Sequence, residues 1–199
     1  MVEMTIEPAD AARFADVQAA LTGGGDGASC QCQWWTLTNT DFRGTTREER
    51  TGLFRAEFDA ATPPGLVAYV DGAPAGWVRV GPRLAQARIG RSRGIRGATR
   101  HPLDAADVWA VTCFSVRREH RGAGLVRALL AAAVDFAREH GARVVEGYAI
   151  DTAGSQVNAN DLYHGAVSTF EAAGFARVAP TGAHTVLMEL PSGADPVGD

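Results

Sequence analysis

The chain has 199 residues and a formal net charge of −4, with 46% hydrophobic and 21% charged residues. All 19 basic residues are Arg, so the Lys of a phosphate-binding NTPase loop and the Lys of Schiff-base catalysis are both missing. This length and composition favour one globular domain with a sizeable core, and the negative charge argues against attraction of the whole protein to nucleic acid or to a membrane surface.

The sequence has no feature of a membrane or secreted protein. No apolar run approaches the roughly 20 residues that span a bilayer, and the segment after Met1 lacks the basic and apolar regions of a signal peptide. We therefore expect a cytoplasmic protein. Three Cys residues are too few for a disulfide scaffold, and Cys30-x-Cys32 has no second Cys/His pair at zinc-finger spacing, so we expect no metal site.

The first third of the chain is predicted to contain a short strand and two helices. The strand covers residues 5–7, and helices follow over residues 10–20 and 46–60. Thr46 and Glu49 have the spacing of a capping box, which supports the start of the second helix. Between the helices lies the short apolar and aromatic segment 30–35.

The remainder alternates strands and helices. Asp71-Gly72 separates two apolar runs and predicts a β-hairpin. The near-continuous apolar run 108–116 predicts a central strand that is covered on both faces, and 125–139 is the clearest helix, closed by Gly141. Further strands are predicted at 143–150, 175–179 and 185–190, a helix at 161–173 and a disordered tail at 191–199. The order indicates an α/β (α+β) domain around one sheet.

The turn between the central strand and the long helix carries the clearest chemical signal. It contains three Arg and two Gly, at positions 117, 118, 121, 122 and 124. Free backbone N–H groups at a helix start bind anions, and Gly lets a ligand approach them, so the turn predicts a pyrophosphate site. The alternative is a tight turn with solvated Arg. A G-x-G-x-x-G dinucleotide motif would need a third Gly where Arg127 stands.

Two segments resemble motifs of the GNAT superfamily of acyl-CoA-dependent N-acetyltransferases. One is Arg-Gly-Ala-Gly-Leu-Val at 121–126 after an apolar strand, and the other is the run 163–175 that ends in Gly174-Phe175. In element order the resemblance extends over residues 4–190. It implies a single GNAT-like domain over 1–190, a central mixed sheet of about seven strands flanked by helices, and two central strands that splay apart. It also implies acetyl-CoA as cosubstrate, without a metal.

The resemblance implies where acetyl-CoA binds. Backbone groups of three strand residues, Phe114, Ser115 and Val116, would pair with the pantetheine arm. The turn and first helical residues would cradle the pyrophosphate; they are Arg121, Gly122, Ala123, Gly124, Leu125 and Val126. An amine would then attack the acetyl carbonyl directly.

The sequence departs from the family pattern at the catalytic positions. Ala110 stands where many members carry a Glu base, Phe170 where the proton-donating Tyr often lies, and Tyr163 where Asn is common. Our catalytic candidates are therefore Tyr163, His164 and Ser168, although packing or surface roles remain alternatives. Candidates for acceptor binding are Trp34, Trp35 and Asp107, with core packing as the alternative for the Trp pair.

A basic segment has no assignment in this scheme. Seven Arg and no acidic residue occur between positions 79 and 100. Most of them fall in residues 82–106, which we predict to be an insertion loop over the active site. The segment would receive the CoA 3′-phosphate, an acidic substrate or an anionic partner; alternatively its charges are solvated or paired within the chain. It lacks the interleaved aromatic residues of nucleic-acid binders.

Two functions follow from the sequence. The first is N-acetyl transfer from acetyl-CoA to a primary amine of a small molecule or a peptide. The alternative is a non-catalytic module that senses acyl-CoA or docks an anionic partner through the Arg segment. The sequence leaves open the acceptor and whether the protein forms a homodimer.

Overall fold

The computed structural model describes residues 3–23, 25–152 and 163–191. Within them, seven strands form one open mixed sheet in the order β1-β2-β3-β4-β5-β7-β6. The strands are β1 Met4–Pro8, β2 Gly65–Val70, β3 Ala73–Pro82, β4 Val108–Val116, β5 Val144–Ile150, β6 Ala176–Pro180 and β7 Thr185–Pro191. Strands β4 and β5 run parallel, and the other neighbouring pairs are antiparallel. The predicted fold class is confirmed.

Eight short to medium helices flank this sheet in the described residues. They are α1 Phe14–Leu21, α2 Gly27–Cys30, α3 Asn39–Gly44, α4 Arg47–Glu57, α5 Ala87–Arg91, α6 Arg93–Ala98, α7 Leu125–Glu139 and α8 Val167–Ala172. The bounds of β4 and α7 agree with the sequence prediction. Helix α4 has the predicted capping box, in which Thr46 Oγ1 accepts from the Glu49 N–H and Glu49 Oε2 accepts from the Thr46 N–H.

The hairpin between β2 and β3 also forms at the predicted turn. Asp71 has φ 49° and Gly72 has φ 78°, so both turn residues adopt the left-handed conformation. That is the backbone of a two-residue turn that matches the twist of the paired strands. The two edge strands of the sheet, β1 and β6, are five residues long and each ends in Pro.

Two helix predictions were wrong in extent. The helix expected at 10–20 begins as a 3-10 turn at Ala11–Arg13, capped by Asp10, before α1. The helix expected at 161–173 is α helical only in α8, because the chain before it pairs with β5: the Ile150 N–H donates to the Gly165 carbonyl at 2.8 Å. Residues 161–162 and the predicted tail from 192 onward lie outside the described residues.

The two faces of the sheet are covered differently. Helix α7 packs its apolar stripe on one face and forms the largest buried cluster. On the other face, α1 and α4 cover β2 and β3, while the Arg-rich insertion covers β4, β5 and β7. The predicted insertion loop is therefore folded: α5 and α6 bury Ile89, Ile95 and Ala98 against Ala110 and Tyr148.

Candidate active site

The two central parallel strands separate part of the way along their length. They pair from Val108–Val144 to Val111–Gly147, although β4 continues to Val116 and β5 to Ile150. On its other side β4 stays paired with β3 as far as Val116. The β5-facing backbone edge of residues 112–116 is therefore open in the described sheet, and the predicted splay is confirmed.

A β-bulge marks the point of separation. Val111 lies opposite Val80 and Cys113 opposite Arg79, so Thr112 is an extra residue in β4. The hydroxyl of Thr112 donates to Gln86 Oε1 at 2.6 Å, and Gln86 Nε2 donates to the Ala110 carbonyl at 3.1 Å. Gln86 of the insertion thus holds both sides of the bulge.

The turn from β4 to α7 is an open backbone cradle. Gly122 has φ 80° and Gly124 has φ 79°, and a Cβ added at either position would meet nothing within 4 Å. Gly124 is the N-cap of α7 and no side chain caps the helix there, while residues 121–124 are exposed. Arg121 Nε donates to the Val116 carbonyl at 3.2 Å and so stays beside the cradle. Free N–H groups, the helix dipole and an Arg fit a diphosphate.

Two of the three predicted catalytic residues lie next to the splay. The Tyr163 and His164 rings lie 4.1 Å apart between centroids, and the His164 ring meets Trp35 edge-on at 5.4 Å. The following residue, Gly165, is close to the Phe114 ring on β4, within 3.1 Å of where its Cβ would be. Ser168 lies exposed in the first turn of α8.

The predicted acceptor residues do not all come together. Trp35 is buried and stacks on Tyr148 of β5, with centroids 5.4 Å apart. The Trp34 ring lies under the Arg88 guanidinium, 3.7 Å from its centroid. Asp107 instead lies at the opposite end of β4, where its carbonyl accepts from the Arg143 N–H at 2.8 Å. Both Trp side chains therefore lie on the sheet face that the insertion covers, and Asp107 is remote from the splay.

Ala110 and Phe170 behave as packing residues. Both are fully buried, and the Phe170 ring contacts Phe114 and the backbone at Gly147. Neither position supplies an ionisable group, as the sequence indicated.

A buried polar cluster under the insertion was missed by the sequence analysis. Glu146 on β5 is fully buried and accepts from Arg83 Nη1 at 2.9 Å, Thr99 Oγ1 at 2.8 Å and the Tyr148 hydroxyl at 2.7 Å. Burial and the negative charge of Glu146 raise the pKa of Tyr148 well above its usual value. The available signal was a Glu and a Tyr two residues apart in an otherwise apolar strand.

The arginines of the basic segment divide into two groups. Arg79 is buried and makes a bidentate ion pair with Glu57 at 2.7 and 3.1 Å, Arg83 pairs with Glu146, and Arg88 packs on Trp34. These three Arg residues are therefore paired or packed within the chain, which is the alternative that the sequence analysis named for the basic segment. The other four are exposed and make no ion pair among the described residues; they are Arg91, Arg93, Arg96 and Arg100.

Two classes of feature are missing from the described part of the chain. No group of three or more His, Cys, Asp or Glu side chains there is arranged to hold a metal ion. None of the helices in the described ranges has the length and apolar character that crossing a membrane requires.

Comparisons with known proteins agree with this geometry. The sequence model of the acetyltransferase (GNAT) family matches residues 32–166, whereas no curated protein matches the chain. Among solved structures, YncA, a putative acetyltransferase from Salmonella typhimurium with acetyl-CoA, is 19% identical with a TM-score of 0.56, covering 98% of both chains. The PaiA N-acetyltransferase of Thermoplasma acidophilum with coenzyme A is 12% identical with a TM-score of 0.56, covering 95% of this chain and 99% of that one. The ribosomal-protein-S18-alanine N-acetyltransferase of Escherichia coli is 13% identical with a TM-score of 0.52, covering 99% of both chains.

Proposed function

Because the chain belongs to the acetyltransferase (GNAT) family, we propose that it transfers the acetyl group of acetyl-CoA to a primary amine of a small molecule or a peptide. The observation that carries this proposal is the separation of β4 and β5 beside the open N-terminus of α7. The gap and the cradle together suit a long cosubstrate with a diphosphate at one end and a thioester at the other.

In this proposal the backbone does most of the cosubstrate binding. The backbone of Phe114, Ser115 and Val116 would pair with the pantetheine amides as an added strand does, and the amides would replace Arg121 Nε at the Val116 carbonyl. The N–H groups at 122–126 would point their partial positive charge at the diphosphate, and the Arg121 guanidinium adds a formal charge. Support comes from YncA and PaiA, which were solved with acetyl-CoA and coenzyme A.

In this proposal the acceptor amine enters from the face of the sheet that the insertion covers, opposite the face covered by α7. There Trp35 and His164 lie beside the residues at which β4 and β5 part. An amine held against these rings would face the acetyl carbonyl through the gap and attack it directly. Such positioning supplies a large share of the rate by itself.

We assign the proton transfers of this reaction to two residues. A protonated amine must lose a proton before it attacks, and we assign this role to His164 because imidazole titrates near neutral pH. Tyr163, whose ring centroid lies 4.1 Å from that of His164, is assigned to protonate the departing thiolate. Ser168 keeps a supporting role in proton relay from the first turn of α8.

The alternative function rests on two observations. Ala110 and Phe170 remove the usual acid and base, and the four exposed Arg of the insertion offer a positive surface. A domain that binds acyl-CoA without turnover, or docks an anionic partner, would show both. Thiol release from acetyl-CoA across a panel of amines separates the two functions: no release with any amine, despite measurable acetyl-CoA binding, would favour the alternative.

The substitution Gly124→Asp tests the cosubstrate site. It places a carboxylate in the open cradle at the N-cap of α7, so we expect acetyl-CoA affinity to fall at least about tenfold, the equivalent of 1.4 kcal/mol. Isothermal titration calorimetry measures it. Gly141→Asp is the matched control, because Gly141 also has positive φ and open space but follows the far end of the same helix. A folded Gly124→Asp variant that binds as tightly as the parent would refute the site.

A further inference from the structure

Two thiols that are far apart in the sequence lie next to each other, one on β4 and the other in the segment 30–35. We call β4 the cosubstrate strand and residues 30–35 the acceptor segment, after their roles in the proposed function. Cys32 Sγ lies 3.4 Å from Cys113 Sγ, across 81 residues of chain. Both are free thiols, Cys32 being only 2% exposed and Cys113 partly exposed on β4. A disulfide needs the sulfurs at about 2.05 Å, so a small shift of the side chains would bring them to bonding distance.

The backbone at Cys32 is held in an unfavourable conformation that aims its sulfur at β4. Gln31 and Cys32 both have φ 52°, in the left-handed region that non-glycine residues rarely adopt. The buried Gln31 side chain fixes this conformation: its Oε1 accepts from Gln18 Nε2 at 2.7 Å, and its Nε2 donates to the Ala28 carbonyl at 2.9 Å. Strain of this kind persists only where the surroundings impose it.

The environment of Cys32 favours its thiolate. The hydrogen-bond contact with Cys113 Sγ, the positive charge of nearby Arg79 and the Trp77 Nε1–H, which donates to Cys32 Sγ at 3.0 Å, outweigh burial and lower the pKa of Cys32. The same contact and burial raise the pKa of Cys113 well above its usual value. Burial raises the pKa of the third cysteine, Cys30, to about 11. The three thiols are therefore unequal, and we assign the nucleophilic attack to Cys32 because its sulfur accepts the Trp77 Nε1–H.

From this geometry we infer that Cys32 and Cys113 are a redox-modification site, a dithiol that a hydroperoxide converts into an intramolecular disulfide. The Cys32 sulfur attacks one peroxide oxygen, the O–O bond breaks, and Cys32 becomes a sulfenic acid as the other oxygen leaves as water. Cys113 then attacks the Cys32 sulfur, the S–O bond breaks, and a second water leaves. Hydrogen peroxide gains two electrons and two thiols lose them, so atoms and charge balance.

The bond would link the two halves of the proposed active site. Cys113 immediately precedes Phe114, and Cys32 lies two residues before Trp34. Oxidation would tie the acceptor segment to the cosubstrate strand and fix their spacing. This consequence rests on the proposed function, whereas formation of the disulfide does not.

The test uses the full-length protein, treated with hydrogen peroxide and then with N-ethylmaleimide under denaturing conditions. We expect intact mass to show the loss of two hydrogen atoms and a single alkylated thiol, and peptide mapping to join Cys32 to Cys113. Dithiothreitol should restore three alkylatable thiols. Because the Cys32 and Cys113 sulfurs lie 3.4 Å apart, we expect the disulfide between them to form while the Cys30 thiol is still free.

Variants provide the matched comparison. Cys30→Ser should form the disulfide as the parent does, whereas Cys113→Ser should stop at the sulfenic acid of Cys32, which dimedone captures. A cross-link that involves Cys30, a disulfide between two chains, or three free thiols after oxidation would each overturn the inference. The peptide map of the oxidised parent protein shows whether Cys32 is joined to Cys113 even if a variant fails to fold. Because these readouts need no acetyl transfer, failure of the proposed function would not affect them.

Discussion

The turn at 117–124 and the insertion at 82–106 are both rich in Arg, yet they use it in different ways. In the turn the backbone is open, two glycines adopt positive φ, and Arg121 stays exposed beside free N–H groups. Under the insertion, Arg83 is buried and neutralises a carboxylate inside the protein. The comparison teaches that a high Arg content does not by itself locate an anion site. In the turn the Arg residues lie beside exposed backbone N–H groups, whereas in the insertion a buried Arg ties α5 and α6 to the sheet.

The largest expected effect comes from breaking the buried ion pair. Arg83→Met should lower the free energy of unfolding by about 3–5 kcal/mol, because Glu146 would keep a buried charge without its cation. Urea denaturation measures the change. The control Arg91→Met removes an exposed Arg of the same insertion and should stay within about 0.5 kcal/mol of the parent. Equal effects of the two variants would show that Thr99 and Tyr148 hold Glu146 by themselves.

An intermediate effect is expected in the turn, and on binding rather than stability. Arg121→Gln should weaken acetyl-CoA binding about tenfold through loss of one charge-assisted contact, with a smaller effect at high salt. Titration calorimetry at two salt concentrations tests this. Arg138→Gln, in the last turn of α7, should bind normally. If Arg121→Gln unfolds more easily but binds as well as the parent, the contrast between the two regions fails.

The smallest effect concerns how tightly the insertion is packed. Gly90→Ala in α5 should stabilise by about 0.5–1 kcal/mol, since its Cβ would meet nothing within 4 Å and Ala favours the helix. Gly94→Ala in α6 should destabilise instead, because its Cβ would clash with the backbone carbonyl oxygen of Thr181. Melting temperatures of the pair give the sign. Two shifts in the same direction would mean that α6 is not pressed against the β6–β7 turn.

Local patterns predicted several elements of the fold well. The bounds of β4 and α7, the left-handed Gly141 and the capping box at Thr46 all depend on residues close in sequence. The family motif lies in the same stretch, so fold and family were both accessible. That the cradle binds acetyl-CoA stays a prediction.

Contacts between residues far apart in the sequence could not be predicted in the same way. Glu146 and Arg83 are 63 residues apart in the sequence, and Cys32 and Cys113 are 81 residues apart. A pattern of neighbouring residues therefore cannot predict either contact. The helix predicted from residue 161 failed for a related reason: a long-range backbone bond from Ile150 to Gly165 competes with helical bonding. The roles of Tyr163, His164 and Ser168 likewise remain predictions.

The short edge strands, β1 and β6, set a limit on how copies of this protein can associate. Each ends in Pro, which has no N–H to offer an incoming strand, and Arg177 on β6 is occupied by Asp151 and Glu171. Edges of this kind resist the addition of further strands and so protect against sheet-to-sheet aggregation. These two edges are therefore poorly suited to joining the sheets of two copies into one.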